Sequence, residues 1–233
     1  MLTFIHCPLS TAAFLPESGK DLKSAVVSCL KLSQRGICST APHGPIREWD
    51  VSRVTNMWGV FYEASSFNAD LSKWDVSNVT DMEQMFSSAS SFNASLSNWN
   101  VSRVISMRMM FTSATVFNAD LSNWDVSHVT IMDFMFQETK SFNADLSNWD
   151  VSRVTGMRSM FFKATSFNSD VSKWDVARVT DMWGMFRYAS AFNQTLCGNA
   201  WFNSKADKTF MFLGSSGSIS TTLCGVCSIF FSH

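Results

Sequence analysis

The stretch LSKWDVSNVTDMEQMFSSASSFNAS, residues 71–95, decides the fold, because the chain repeats its pattern six times in steps of 25 residues. No insertion or deletion interrupts the series, which is clearest in the tryptophans Trp49, Trp74, Trp99, Trp124, Trp149 and Trp174. A fixed period of this length is typical of tandem repeats, each of which buries its apolar side chains against its neighbours. Residues 49–198 are therefore predicted to be six copies of one structural unit.

One half of the unit has the spacing of an α-helix. Apolar side chains follow one another at relative positions 0, 3, 4, 7 and 10, in Met82, Met85, Phe86, Ala89 and Phe92. This spacing predicts one face of a helix. Thr80 is suited to the N-cap, and Glu83 would complete a capping box. An asparagine follows in all six copies, Asn93 in this one, and we expect it to end the helix in the left-handed conformation.

The other half of the unit alternates like a short strand. Over residues 72–77, Trp74 and Val76 face one way, whereas Lys73, Asp75 and Ser77 face the other. A strand followed by a helix, repeated, gives parallel strands joined by crossovers that are right-handed in nearly all cases. The predicted fold class is α/β, a right-handed, leucine-rich-repeat-like solenoid of six strand–helix coils. A pure parallel β-helix is the alternative, which the helical spacing of Met and Phe disfavours.

The wording of the unit resembles a known family. Leu71, Trp74, Val76, Val79 and Met82 reproduce the apolar frame of a leucine-rich repeat, with Trp and Met in place of Leu. More narrowly, the pattern F-N-x-D-L-S-x-W-D-V-S-x-V-T-x-M-x-x-M-F resembles the BspA-like surface-protein repeat, which also occurs in mycoplasma surface lipoproteins. The resemblance implies a cell-surface or secreted location and a role in adhesion or recognition. It implies no common enzymatic activity.

The segments outside the repeats are predicted to cap them, since the ends of a solenoid expose a hydrophobic coil. Residues 18–48 contain an amphipathic helix and a loop, with one apolar face formed by Leu22, Ala25, Val26, Cys29 and Leu30. Residues 199–233 are expected to form an irregular C-terminal cap and tail. Residues 1–17 resemble a degenerate signal or leader segment, although the basic residues of a leader are missing.

The six cysteines lie in these flanks or at the edge of the repeats. Cysteines confined to caps indicate disulfide bonds that hold the ends in an oxidising compartment. The predicted pairs are Cys29 with Cys38 and Cys197 with Cys224. A zinc site at Cys224 and Cys227 is disfavoured, because the sequence offers no second pair of ligands.

Composition argues against several classes of function. The net charge is −1, so no overall field draws the protein to nucleic acid. No run of 18 or more apolar residues exists that could form a transmembrane segment. The four histidines are scattered, and no Ser-His-Asp set, nucleotide loop or HExxH motif is present. We therefore expect no enzymatic activity, no resident cofactor and no metal site apart from Ca²⁺.

Polar side chains that face away from the core are expected to form rows along a concave sheet. Neighbouring Asp carboxylates in such a row, about 4.8 Å apart, require compensation by Arg, Ser, backbone amides or a bound Ca²⁺. One interpretation is a site for an extracellular protein or glycan. The other is an Asp–Ser–backbone ladder that only holds the register, which we favour because structural ladders repeat whereas binding surfaces vary. The candidate binding residues are Lys73, Asp75, Asn98, Arg103, Asp125, His128, Asp150, Lys173, Asp175 and Arg178.

The sequence therefore predicts a non-enzymatic recognition or adhesion module that is displayed on the cell surface or secreted. It would bind protein or glycan through the concave face of the solenoid. The alternative is a structural component of a surface coat that associates with copies of itself.

Overall fold

The computed structural model describes residues 13–220 of the chain. Its helices are α1, Gly19–Leu32, and α2, Asn199–Asn203, with one 3₁₀ turn at Ile46–Glu48. Its strands are β1, Thr195–Leu196, and β2, Ser218–Ile219, which pair in parallel. Residues 49–194 consist of turns and single-residue bridges. The repeats therefore lie between the 3₁₀ turn and β1.

Each repeat is a succession of β-turns. We number units 1 to 6 from their first buried residues, which are Ile46, Leu71, Leu96, Leu121, Leu146 and Val171. In unit 2 the backbone closes turns at 71–74, 76–79, 82–85, 86–89 and 89–92, with N–H···O distances of 2.9–3.2 Å. The residues at the ends of these turns are all buried: Leu71, Trp74, Val76, Val79, Met82, Met85, Phe86, Ala89 and Phe92.

The predicted helix in the second half of the unit is therefore wrong. Successive turns that bury both of their ends also repeat apolar residues at i and i+3, so the spacing fits either structure. Gln84 and Ser88 have φ of 57° and 61°, values foreign to a right-handed helix. Each is the third residue of its turn, the position in which type II turns require positive φ. Thr80 is not an N-cap either, because its hydroxyl and its amide both donate to the Thr55 carbonyl.

The predicted strand at residues 72–77 is also absent. The carboxylate of Asp75 accepts a hydrogen bond of 3.0 Å from the N–H of Ser77, and this local bond turns the chain out of the extended conformation. Trp74 and Val76 are nevertheless buried, whereas Lys73 and Asp75 are exposed. The alternation in the sequence correctly assigned the sides of the chain but not its backbone conformation.

Neighbouring units are joined by a parallel ladder of backbone hydrogen bonds. The N–H groups of Met82, Gln84, Phe86 and Ser88 donate at 2.7–3.0 Å to the carbonyls of Ser106, Arg108, Met110 and Thr112. The bridge residue of each unit pairs with that of the next, in the order Asn56, Asp81, Ser106, Ile131, Gly156, Asp181 and Asp207. We propose that this stacking makes the repeats a solenoid with one unit per coil. Its right-handedness stays a prediction.

The core consists of columns of aromatic rings. In unit 4 the ring centroids of Phe136 and Phe142 lie 3.9 Å apart. Phe136 also stacks on the equivalent rings of both neighbouring units, Phe111 and Phe161, each at 5.6 Å. Trp149 donates its ring N–H to a carbonyl of the preceding unit at 3.0 Å. The prediction that the repeated Trp, Val, Met and Phe form the core is confirmed.

The repeated asparagine joins neighbouring units and does not end a helix. Asn118 accepts through Oδ1 from the N–H of Asn143 at 2.8 Å, and its own N–H donates to Asn93 at the same distance. The same bond links the other neighbouring asparagines from Asn68 to Asn193. None of these residues has positive φ. The predicted left-handed stop is wrong, because no helix precedes the asparagine.

Helix α1 packs against unit 1, where Gly19 lies at the Asn56 carbonyl and Lys23 lies over Trp58. Ser18 caps it by accepting the N–H of Asp21, and Gly19 is required because a Cβ there would collide with the Asn56 carbonyl. Its buried residues are Leu22, Ala25, Val26 and Cys29, and Leu30 is partly buried, so the predicted amphipathic helix is formed. Its role as a cap stays a prediction.

The predicted disulfide between Cys29 and Cys38 is formed, with Cα atoms 5.4 Å apart. This bond ties the C-terminal half of α1 to the loop that leads into unit 1. Cys197 is also disulfide-bonded, and its predicted partner Cys224 lies outside the described residues. The same is true of residues 1–12 of the predicted leader.

A seventh, partial unit follows the six. The N–H groups of Met182, Gly184, Phe186 and Tyr188 donate at 2.8–2.9 Å to the carbonyls of Asp207, Thr209, Met211 and Leu213. Trp201 donates its ring N–H to Val171, as the tryptophans of complete units do. The period of 25 does not reveal this unit, because Trp201, which lies in α2, follows Trp174 by 27 positions.

Candidate functional site

The outward residues of the ladder turns form one continuous surface, which we call the variable face. In unit 2 they are Glu83, Gln84, Ser87 and Ser88, the middle residues of turns 82–85 and 86–89. The ladder places the equivalent residues of each unit beside them. The variable face therefore has four columns of side chains, to which every unit contributes one residue each.

The six copies differ strongly in these columns, and also in the neighbouring column of bridge residues, which includes Asn56 and Ile131. The Ser87 column holds a different residue in every unit: Tyr62, Ser87, Thr112, Gln137, Phe162 and Arg187. The Glu83 column holds Trp58, Glu83, Arg108, Asp133, Arg158 and Trp183. The buried positions between the columns carry Met or Phe in every unit except at Val60. A constant frame with one varied surface is what repeat proteins use to bind partners.

Two of the columns carry side chains where the backbone favours glycine. In the Gln84 and Ser88 columns, φ lies between 49° and 61° in all six units. This left-handed conformation costs a non-glycine residue about 1–2 kcal/mol. Glycine nevertheless occupies only two of these twelve positions, while Met109, Phe134 and Tyr188 are among the others. Backbone strain at ten non-glycine positions indicates that the side chains in these two columns have a use beyond folding.

Large aromatic side chains are exposed at both ends of the variable face. At the N-terminal end, Trp58 is 48% and Tyr62 is 47% exposed. The Lys23 ammonium of α1 lies 4.1 Å from the Trp58 ring centroid. At the C-terminal end, Tyr188 is 41% and Phe210 is 52% exposed. Exposed aromatic groups of this size are typical of surfaces that bind partners.

The middle of the face is crossed by ion pairs between units. Arg108 lies 2.8 Å from Glu83, the residue that was predicted to complete a capping box. Lys163 lies 3.1 Å from Glu138. Such half-exposed pairs contribute at most about 1 kcal/mol each, so they order the side chains more than they stabilise the fold.

The C-terminal end of the face holds a guanidinium among four aromatic rings. We call this group, Arg187 with Phe162, Trp183, Tyr188 and Phe210, the arginine cluster. The guanidinium carbon lies 5.0–5.7 Å from the four ring centroids. Two pairs of these rings contact each other edge to face, with centroids 6.0 Å apart. Within residues 13–220, the buried Nε of Arg187 has no hydrogen-bond partner.

Asp133, in the Glu83 column, is half-buried, and its burial raises the pKa of its carboxyl group. Its Oδ1 accepts the N–H of Arg158 at 2.8 Å. Gly156 makes room for this carboxylate, because a Cβ there would lie 2.7 Å from the same oxygen. A charged group is therefore held against the ladder by a backbone amide.

The ten residues that the sequence predicted as a site lie on a different surface, formed by turns 71–74 and 76–79 and their equivalents. We call it the Asp–Ser surface. All ten are exposed, but no strand runs beneath them, so the predicted concave sheet is absent here. The ladder stacks them in columns, in which Lys73 lies 3.7 Å from Glu48 and Arg103 donates to Asn78 at 2.9 Å. Their role in binding stays a prediction.

The carboxylates of the Asp–Ser surface are stabilised within their own units. Asp125 and Asp150 occupy one column and repel each other, yet the pKa of each is lowered. The cause is the serine two residues on, whose hydroxyl and amide donate to the carboxylate; the amide distances for Ser127 and Ser152 are both 3.0 Å. The expected compensation thus comes from Ser and backbone, in bonds local to each unit.

The described residues contain neither a group placed to hold a metal ion nor a helix able to span a membrane. Across residues 13–220, no group of three or more His, Cys, Asp or Glu side chains is placed to hold a metal ion. Binding of Ca²⁺ by the Asp rows stays a prediction. No helix in the same part of the chain is long and apolar enough to cross a bilayer.

Asp175 and Arg178 line a cleft of about 650 Å³ beside α2, together with Asn203 and Lys205.

A family model described as "Mycoplasma protein of unknown function, DUF285" matches residues 35–139 and 119–222. The chain belongs to the DUF285 family. The matched ranges include all six units and the described part of the seventh, so the match covers the repeats of this chain. No curated protein and no solved structure matches this DUF285 chain.

The variable face was not among the predicted sites, although its signal is in the sequence. The residues between the repeated Met and Phe differ more from copy to copy than the residues of the Lys73 and Arg103 columns do. Column-by-column comparison of the whole unit identifies the face without a structure.

Proposed function

We propose that this DUF285 chain is a non-enzymatic recognition or adhesion module that binds a protein or a glycan through the variable face. One observation carries the proposal: six otherwise similar units differ strongly in the four columns of the variable face, which include the exposed aromatic side chains Trp58, Tyr62 and Tyr188. Two of these columns keep side chains at positive φ, where glycine would make the frame more stable. Selection for stability alone would remove both features.

The Asp–Ser surface is the weaker candidate. Its Asp and Ser residues recur in nearly every unit, and each Asp has a local structural role as the acceptor that closes a turn. Removing them would damage the frame, so their repetition is explained without a ligand.

Display on the cell surface or secretion is part of the proposal. The disulfide between Cys29 and Cys38 supports an oxidising compartment, because such bonds rarely persist in reducing cytosol. The sequence pattern of the repeats supports a place among BspA-like surface proteins. We propose that the leucine-rich-repeat likeness lies in the stacked, apolar frame, since the units are built from turns.

The test compares two triple variants of the full chain. The first carries Trp58→Ser, Tyr62→Ser and Tyr188→Ser on the variable face. The second carries Lys73→Ser, Arg103→Ser and Arg178→Ser on the Asp–Ser surface. Binding of labelled protein to host cells, to extracellular matrix and to a glycan array is measured, with thermal unfolding as the control for folding.

We expect the first variant to lose binding and the second to keep it. Loss confined to the second variant would transfer the site to the Asp–Ser surface. Absence of wild-type binding in all three assays would overturn the recognition proposal. Concentration-dependent oligomers in sedimentation velocity would then favour the alternative, a self-assembling surface coat.

A further inference from the structure

We infer that the arginine cluster binds an acidic side chain, Asp or Glu, of a partner protein. The inference rests on the proposed function, since the cluster lies on the variable face, and it names the chemistry of the partner. Arg187 would form the ion pair, and the rings around it would cover the pair from water.

The charges around the cluster leave Arg187 without a carboxylate. Arg158 pairs with Asp181 at 3.3 Å, and Lys163 pairs with Glu138 at 3.1 Å. Within residues 13–220, no carboxylate oxygen lies within 4.0 Å of the Arg187 guanidinium. Its positive charge is therefore the one that an incoming anion would neutralise.

The aromatic rings make this charge a stronger attractor than an arginine in open water. Rings on several sides exclude solvent from the Nε side of the guanidinium, where Nε is buried. The attraction between two opposite charges becomes stronger as the effective dielectric constant falls. A planar guanidinium that is already held by stacking also loses less freedom when a carboxylate binds its fork of N–H groups.

The surroundings favour a protein over a small sugar as the ligand. Tyr188, Phe210 and Leu213 form an exposed apolar border, and Leu213 is 44% exposed. Arginine, tryptophan and tyrosine side chains dominate the binding energy at protein interfaces.

The experiment selects ligands from a displayed library of random peptides on the immobilised full-length protein. We expect the selected peptides to be enriched in Asp or Glu next to apolar residues. Synthetic copies of these peptides are then titrated against wild type, Arg187→Gln and Arg187→Lys. We expect Arg187→Gln to weaken binding by about tenfold or more, because a covered ion pair loses one partner. Arg187→Lys should fall between, since it keeps the charge and loses the planar fork.

Arg153→Gln is the matched control, because it removes an exposed arginine from the Asp–Ser surface and should leave peptide binding unchanged. Selection without acidic residues, or equal binding by wild type and Arg187→Gln, would overturn the inference. So would Arg187-dependent binding of sialylated or sulfated oligosaccharides in place of peptides. If Arg187→Gln lowers the melting temperature, the peptide affinities of wild type and Arg187→Lys decide whether Arg187 takes part in binding.

The inference and the proposed function fail separately. Peptides that need Trp58 and Tyr62 but not Arg187 would leave the variable face as the site and remove the arginine cluster from it. Loss of binding only in variants of the Asp–Ser surface would overturn both.

Discussion

The separation between the frame and the variable face predicts that truncation of two phenylalanines in the same unit destabilises the protein by very different amounts. Phe136 is completely buried and stacks on Phe142, Phe111 and Phe161. Burial of such a ring is worth about 1.5–3 kcal/mol, and the cavity left by truncation raises the total to roughly 3–5 kcal/mol. Phe136→Ala should therefore destabilise the protein by about 4 kcal/mol.

Phe134→Ala is the matched control, two residues away on the same ladder segment. Phe134 is only partly buried, has φ of 60° and lies in a column that elsewhere holds Gly, Gln, Met or Ser. Its truncation should cost about 1 kcal/mol or less. Urea unfolding followed by tryptophan fluorescence measures both, since each unit contains a tryptophan. Equal costs for the two variants would refute the division into a packed frame and a free face.

The remaining predictions concern pH, the cap and backbone strain. The pKa of Asp125 is lowered in the folded protein, so its carboxylate stabilises the fold at pH values above the unfolded pKa of about 3.9, and this contribution is lost as pH falls through the folded pKa. Asp125→Asn keeps an acceptor for the turn but does not titrate. The melting temperature of the variant should therefore fall less than that of wild type between neutral and strongly acidic pH. Replacing Cys29 and Cys38 by Ser should cost about 2–3 kcal/mol for a sequence separation of 9, and hydrogen exchange should accelerate in α1 first. Ser113→Gly, at φ of 57°, should raise stability by about 1 kcal/mol in urea unfolding, because it removes left-handed strain.

The period, the core and the N-terminal helix could be predicted from the sequence because they depend on which side chains are buried. A fixed step of 25 residues identifies the positions that must pack in every unit, and Phe86 and Trp74 follow from it directly. The spacing of Leu22, Ala25 and Val26 gives the buried side of α1 in the same way. Burial patterns survive even where the backbone conformation is assigned wrongly.

The turns at 82–85 and 86–89 could not be predicted, because the sequence does not mark the residues that adopt positive φ there. Gln84 and Ser88 adopt positive φ without being Gly or Asn, the residues that usually announce it. The conformation is imposed by the ladder, whose bonds come from the next unit along the chain. A contact between units therefore overrides the local preference, and the apolar spacing alone fits a helix equally well.

The arginine cluster depends on a part of the chain in which the period is broken. Phe210 contacts Trp183 and lies near Arg187 only because α2 absorbs the insertion and returns the seventh unit to the ladder. The sequence shows Arg187 as a varied residue but gives no means of placing Phe210 beside it. The variable face was within reach of sequence comparison, whereas its C-terminal end required the structure.

The variable face can change from unit to unit because backbone groups hold it in place. Every ladder bond in this DUF285 chain joins an N–H to a carbonyl, which all residues except proline supply in full. A substitution at an exposed position of the four columns therefore keeps the ladder bonds and alters mainly the chemistry that is displayed. Trp58 with Lys23 at one end and Arg187 with its rings at the other are two results of this freedom. A partner that recognises both ends must match an aromatic group and an acidic group several units apart, and that combined requirement would give the face its specificity.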